Sequence, residues 1–166
     1  MIFYTVDRSR TLSSGQQIEL RSRRGGFQDS VVSLLFDGVS RHGDKYLYMD
    51  RTDSVEKDAM IELVFEYVRR DVSPDRPSRY QSMFGWQTIE QAMAFMARDK
   101  KTADQPIYRV KSDIYFKCDM NLLSCKDTAI LTSERAIKYW KGEPGSDAPC
   151  WEWLLRCPVQ ILDRVV

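Results

Sequence analysis

Hydrophobic and polar positions alternate in short blocks along this chain. Residues 2–6, IFYTV, are β-formers, and 17–20 make a second extended piece after the polar stretch through Ser14 and Gly15. Phe27, Val31, Leu34 and Leu35 fall near helical spacing, predicting a short helix over 27–36, and 45–49 reads as a brief strand. The clearest helix begins at Asp53, with Glu56 at the capping-box position. It runs to Arg70 with apolar rows Ala59, Leu63, Tyr67 and Met60, Val64, Val68. Glu62, Glu66 and Arg70 then form one i, i+4 row on the polar side, an arrangement of modest helix support. Pro74 and Pro77 end that helix and force extended chain.

Thr88 caps the next helix, with Gln91 at the capping-box position and Ile89, Ala92, Met93 and Met96 as its apolar stripe. From 107 to 118 the alternation is strong enough to predict one half-buried strand, with Tyr108, Val110, Ser112, Ile114, Phe116 and Cys118 on one face. Ser133 can cap a short helix that stops at Gly142, and GEPGSDAP is a loop by composition. The end, CWEWLLRCPVQILDRVV, reads as one long strand broken at Pro158 or as two strands around it. Three or four helices and five to seven strands, with no repeat and no regular β-α alternation, predict an α+β fold and one domain over residues 1–166.

Composition narrows the class. At 43% hydrophobic and 30% charged residues the balance is that of a soluble chain, and a net charge of +1 argues against a globally basic nucleic-acid surface. Arg21, Arg23 and Arg24 make a local basic patch, read as a solvated loop. No run of 18 apolar residues exists and the start lacks signal-peptide order, so no membrane is expected, and a cytoplasmic location, in its own cell or a host, is. Cys118, Cys125, Cys150 and Cys157 match no zinc spacing, and His42 is the sole histidine, so no metal site and reduced, mostly buried thiols are expected. The glycines at 38 and 43 place His42 in a turn, as a surface residue.

No GxSxG, P-loop, GxGxxG or HExxH pattern is present, which leaves carboxylates, hydroxyls and arginines to carry any reaction. Glu152 lies between Trp151 and Trp153 in a strand and so points away from both indoles, beside Cys150 and Leu154. Such a desolvated carboxylate suits charge stabilisation or proton transfer; the alternative is a glutamate facing water or paired with a structural arginine. In residues 77–95, Tyr80, Phe84 and Trp86 alternate and either face a core or wall a pocket for a planar ring. Arg79 and Ser82 would then be donors to phosphate or ribose oxygens, and Tyr4, Thr5 and Arg8 could add polar contacts.

In order and spacing, a first strand with FYTVDR, then R-x-x-S-x-F leading into a T-I-E-x-A helix, and a final strand with a lone Glu resemble the three-part pattern of the ADP-ribosyltransferase superfamily. Residues 66–95 also look like a bacterial and phage family with E-x-x-R (Glu66, Arg69), P-S-R (Pro77, Ser78, Arg79) and an EA helix (Glu90, Ala92). The resemblance implies NAD as substrate, lying across a split, mostly antiparallel sheet, and transfer of ADP-ribose to a macromolecular acceptor in bacterial or phage conflict. A protein is the favoured acceptor over nucleic acid, and an inhibitor or antitoxin is a possible partner. It gives Thr5 or Arg8 the first-motif position, Ser82 and Phe84 the second, and Glu152 the ribose hydroxyl. The alternative is an inactive member of this fold that binds a protein or nucleotide through the groove beside Arg79.

Overall fold

Two antiparallel sheets meet edge to edge in the computed structural model, which describes residues 1–22, 34–35, 37–48, 56–98 and 104–166. Strand β1 (Ile2–Val6) pairs with β4 (Ile107–Lys111), β4 with β7 (Val159–Arg164), and β7 with the two-residue β2 (Gln17–Ile18). The second sheet places β6 (Trp151–Arg156) between β3 (Ser82–Gly85) and β5 (Tyr115–Asp119). Tyr4 and Trp86 exchange backbone hydrogen bonds at 2.8 Å, and the Thr5 hydroxyl donates to Phe84 O at 2.7 Å, so β1 abuts β3 across the split. Four α-helices complete the described residues: α1 (Arg41–Tyr48), α2 (Glu56–Val72), α3 (Ile89–Ala97) and α4 (Ala129–Lys141). The fold is α+β and forms a single domain. No helix of the described residues is long and apolar enough to cross a membrane.

Local chemistry sets the boundaries. Thr88 Oγ1 accepts from Gln91 N, and Gln91 Oε1 accepts in return from Gln87 N, one residue earlier than a strict capping box. The start of α4 is Thr128, not Ser133, because the Thr128 hydroxyl accepts from Leu131 N, whereas Ser133 lies inside the helix and donates back to Ala129 O. Gly142 ends α4 at φ 74°, a left-handed conformation that costs glycine little. The predicted long strand over 107–118 is two strands in different sheets, broken at 112–114. Ser112 donates to Ile114 O there, and Ile114 is exposed. The chain also changes sheets at Pro158, so the tail is β6 and β7, not one strand.

Residues 45–48 belong to α1 and not to a strand. Ser40 starts that helix, its hydroxyl accepting from Gly43 N. Gly43 lets α1 lie directly on the turn after α2; a Cβ there would collide with the Tyr80 carbonyl, backbone that cannot swing aside. Gly43→Ala is therefore expected to destabilise by about 1–3 kcal/mol, read as a lower urea midpoint with unchanged slope. Of the predicted helix over 27–36 only 34–35 are described, with Leu35 buried and Leu34 exposed, and the Asp53 cap, Arg23 and Arg24 lie outside the described residues.

The apolar rows read along α2 are rotated from the buried face. Met60 and Tyr67 are exposed, while Glu62, Phe65 and Glu66 point inward. Phe65 packs with Phe116, Ala136, Tyr139, Trp140 and Leu154 between the helices and the second sheet, and Trp140 Nε1 donates to Phe65 O at 2.6 Å. A separate core of Phe3, Tyr108, Val110, Leu155, Val159 and Ile161 joins the two sheets. All four cysteines are free thiols, with Cys118 and Cys157 buried.

Candidate functional site, a buried charge cluster

Two carboxylates one turn apart on α2 hold the segment that follows the helix. Glu66 accepts from Ser78 Oγ at 2.8 Å, from both Arg69 Nη2 and Arg69 Nε, and from Arg70 Nε at 2.9 Å. Arg69 also donates to Pro74 O and Arg76 O, which folds the Pro74–Pro77 bend back onto the helix. Ser78 Oγ accepts from Tyr80 N and so starts the 3-10 turn Arg79–Gln81. That turn drives the Arg79 side chain inward, where it is 5% exposed.

The Arg79 guanidinium uses its two edges differently. Nε and Nη2 donate to Glu62 at 2.8 and 2.9 Å, a bidentate pair, while Nη1 donates to Glu152 Oε1 at 2.7 Å and to the Tyr139 hydroxyl. Tyr139 OH lies 3.1 Å from the same Glu152 oxygen, and the Phe84 ring covers the guanidinium at 4.7 Å. Glu152 is 2% exposed and shares the helix-covered face of its sheet with Cys118, Leu154 and Phe84, opposite the two indoles.

The chain's one histidine joins this cluster. Far from being a surface turn residue, His42 sits in α1 with its ring against Phe84 and Tyr46. Its Nε2 is 3.0 Å from Glu62 Oε1 but is not aligned for a hydrogen bond. Burial acts to raise the Glu62 carboxyl, but Arg79 and His42 outweigh it and hold it at about 2, against 4.5 ordinarily. Burial would lower the Arg79 guanidinium, yet the carboxylates of Glu62 and Glu152 raise it well above its usual value. Burial raises the Tyr139 hydroxyl and the Cys118 thiol, so both are neutral neighbours of Glu152.

Of the residues singled out from the sequence, Arg79, Phe84 and Glu152 meet here. Ser82 is fully buried beside them, its hydroxyl donating to Ser78 O at 2.7 Å. Thr5 is buried and tied to the Phe84 carbonyl. Tyr4 and Arg8 belong to a second neighbourhood, where Tyr4 packs on Trp86, and Arg8 lies over Phe95, which stacks on Trp86 at 4.3 Å. Tyr80, Phe84 and Trp86 do not share one core: Tyr80 packs with Leu35, Val39 and Tyr48, Phe84 against the Phe65 core, and Trp86 with Met96 and Ile107.

Glu62, Glu66, His42 and Tyr139 are the members that sequence reasoning missed. The signal available for two of them was their spacing on either side of Phe65, which places Glu62, Phe65 and Glu66 on one helical stripe.

These features define an α+β domain whose helices and smaller sheet are joined through a buried arginine shared by two glutamates. The chain belongs to the family described as Protein of unknown function (DUF2441), whose model matches residues 3–166. No curated protein matches it.

Proposed function

We propose that the chain is an ADP-ribosyltransferase-like domain that transfers ADP-ribose from NAD to a macromolecular acceptor, a protein in preference to a nucleic acid. The observation that carries this reading is the placement of the three motif strands. The resemblance requires the FYTVDR strand, the Ser82–Phe84 strand and the Glu152 strand to lie together across a split sheet. Here β1 abuts β3 through Tyr4, Thr5 and Trp86, and β3 pairs directly with β6, where Phe84 faces Leu154, two residues from Glu152.

In this chemistry the bond between the nicotinamide nitrogen and ribose C1′ breaks, its electron pair leaving with nicotinamide. The acceptor's nucleophile bonds to C1′ and gives up a proton. A fixed carboxylate lowers the barrier by facing the positive charge that develops on the ribose, and Glu152 is the candidate for it. Tyr4 on Trp86 and Arg8 over Phe95 would supply polar groups beside that stacked aromatic pair.

A second reading, an inactive domain of the same fold that binds a protein or nucleotide, is favoured by one specific observation. Glu152, Ser82 and Thr5 are all buried, and each has a polar group engaged inside the protein. Incubation of the folded protein with labelled NAD and cell lysate separates the two. Labelled product or released nicotinamide is expected, and an intact protein that yields neither removes the transferase reading.

A further inference from the structure

Resting on the NAD reading, we infer that the Arg79–Glu152 contact is an autoinhibitory lock on the carboxylate that the reaction would use. The two edges of the guanidinium make this a separable device. The Nε and Nη2 edge is fixed to Glu62, so Arg79 keeps a full carboxylate partner when Nη1 lets go of Glu152. Opening therefore parts Glu152 from Arg79 Nη1 and from the Tyr139 hydroxyl and does not strand Arg79 unpaired.

Tyr139 sets how firmly the lock closes. Its hydroxyl touches both Arg79 Nη1 and Glu152 Oε1, bridging α4 to β6, and the aromatic rings of Phe84 and Tyr139 lie 4.7 and 5.5 Å from the guanidinium carbon. In the closed form the Glu152 oxygen that could face a cationic ribose is already taken by a cation. The positively charged nicotinamide ring of NAD is the kind of group that competes with Arg79 for that carboxylate. The substrate is then itself an opener, by electrostatic competition.

The test compares wild type, Tyr139→Phe and Glu62→Gln, each verified as folded by circular dichroism. Two readouts are taken: coupling of Glu152 to an amine by a water-soluble carbodiimide, followed by mass spectrometry and normalised to exposed Asp147, and consumption of NAD. Tyr139→Phe removes one hydrogen bond that favours the closed form, so Glu152 coupling is expected to rise about fivefold, and NAD consumption with it. Glu62→Gln leaves Glu152 as the carboxylate partner of Arg79 in this cluster and is expected to lower both below wild type. Coupling unchanged in Tyr139→Phe and not lowered in Glu62→Gln overturns the lock. Coupling that moves as stated while no protein consumes NAD supports the lock and overturns the NAD reading, so the two fail separately.

Discussion

Arg79→Met is expected to cost about 3–5 kcal/mol at pH 7, a large part of the roughly 5–15 kcal/mol that holds an ordinary domain together. Methionine nearly fills the space but leaves Glu62 and Glu152 facing each other without the cation that both address at 2.7 to 2.9 Å. The cost is that of two buried carboxylates losing their counter-ion, more than that of lost packing. Urea unfolding at pH 7 measures it, and a variant as stable as wild type at that pH would show that the cluster contributes little to the fold.

The same substitution should invert the acid response. In wild type the Glu62 carboxyl is held at about 2 against 4.5. A depressed folded value gives stability that is present above 4.5 and lost as pH falls toward 2, on the order of 3 kcal/mol in all. Without Arg79, burial is opposed by His42 alone and, with the like charge of Glu152 added, raises that carboxyl above its ordinary value. Arg79→Met should then become more stable, relative to its own state at pH 7, as pH falls toward 4.5. Unfolding curves at several pH values would give slopes of opposite sign for the two proteins.

On the proposed transferase reading, Glu152→Gln should separate activity from stability. The amide oxygen of glutamine can still accept from Arg79 Nη1 and the Tyr139 hydroxyl, and Glu62 still balances the guanidinium, so the folded protein should lose no more than about 1 kcal/mol. Removal of the charge should lower ADP-ribose transfer on the order of 100-fold or more if the carboxylate stabilises the developing ribose cation. Melting temperature and label transfer, measured on the same preparations, check both halves. Full transfer by Glu152→Gln would remove Glu152 from the reaction.

Features written in local chemistry were legible in the sequence. The Thr88 cap, the stop at Gly142, the break at Pro158 and the orientation of Glu152 away from its flanking tryptophans each depend on a few adjacent residues. What the sequence hid depends on burial. A hydrophobicity pattern counts Glu62 and Glu66 as polar and turns α2 so that Met60 and Tyr67 face inward, because it cannot see Arg79 and Ser78 waiting on the next segment. His42 was misplaced for the same reason: two glycines around it suggest a turn, but Gly43 serves close packing of a helix on the Tyr80 carbonyl. Over 107–118, side-chain alternation continued through a change of sheet, which period-two patterning does not register.

The larger sheet also fixes the order in which its own strands can pair. Strand β7 is the only neighbour of β2 and the second neighbour of β4 among the described residues, and the Gln160 amide donates to Gly15 O across 145 residues of sequence. A nascent chain emerging from the ribosome can pair β1 with β4 and β3 with β6, yet it carries an open β4 edge until β7 emerges. Closure of that sheet thus waits for β7 and is an event of high contact order, and until then the open β4 edge is a place where one chain could pair with another.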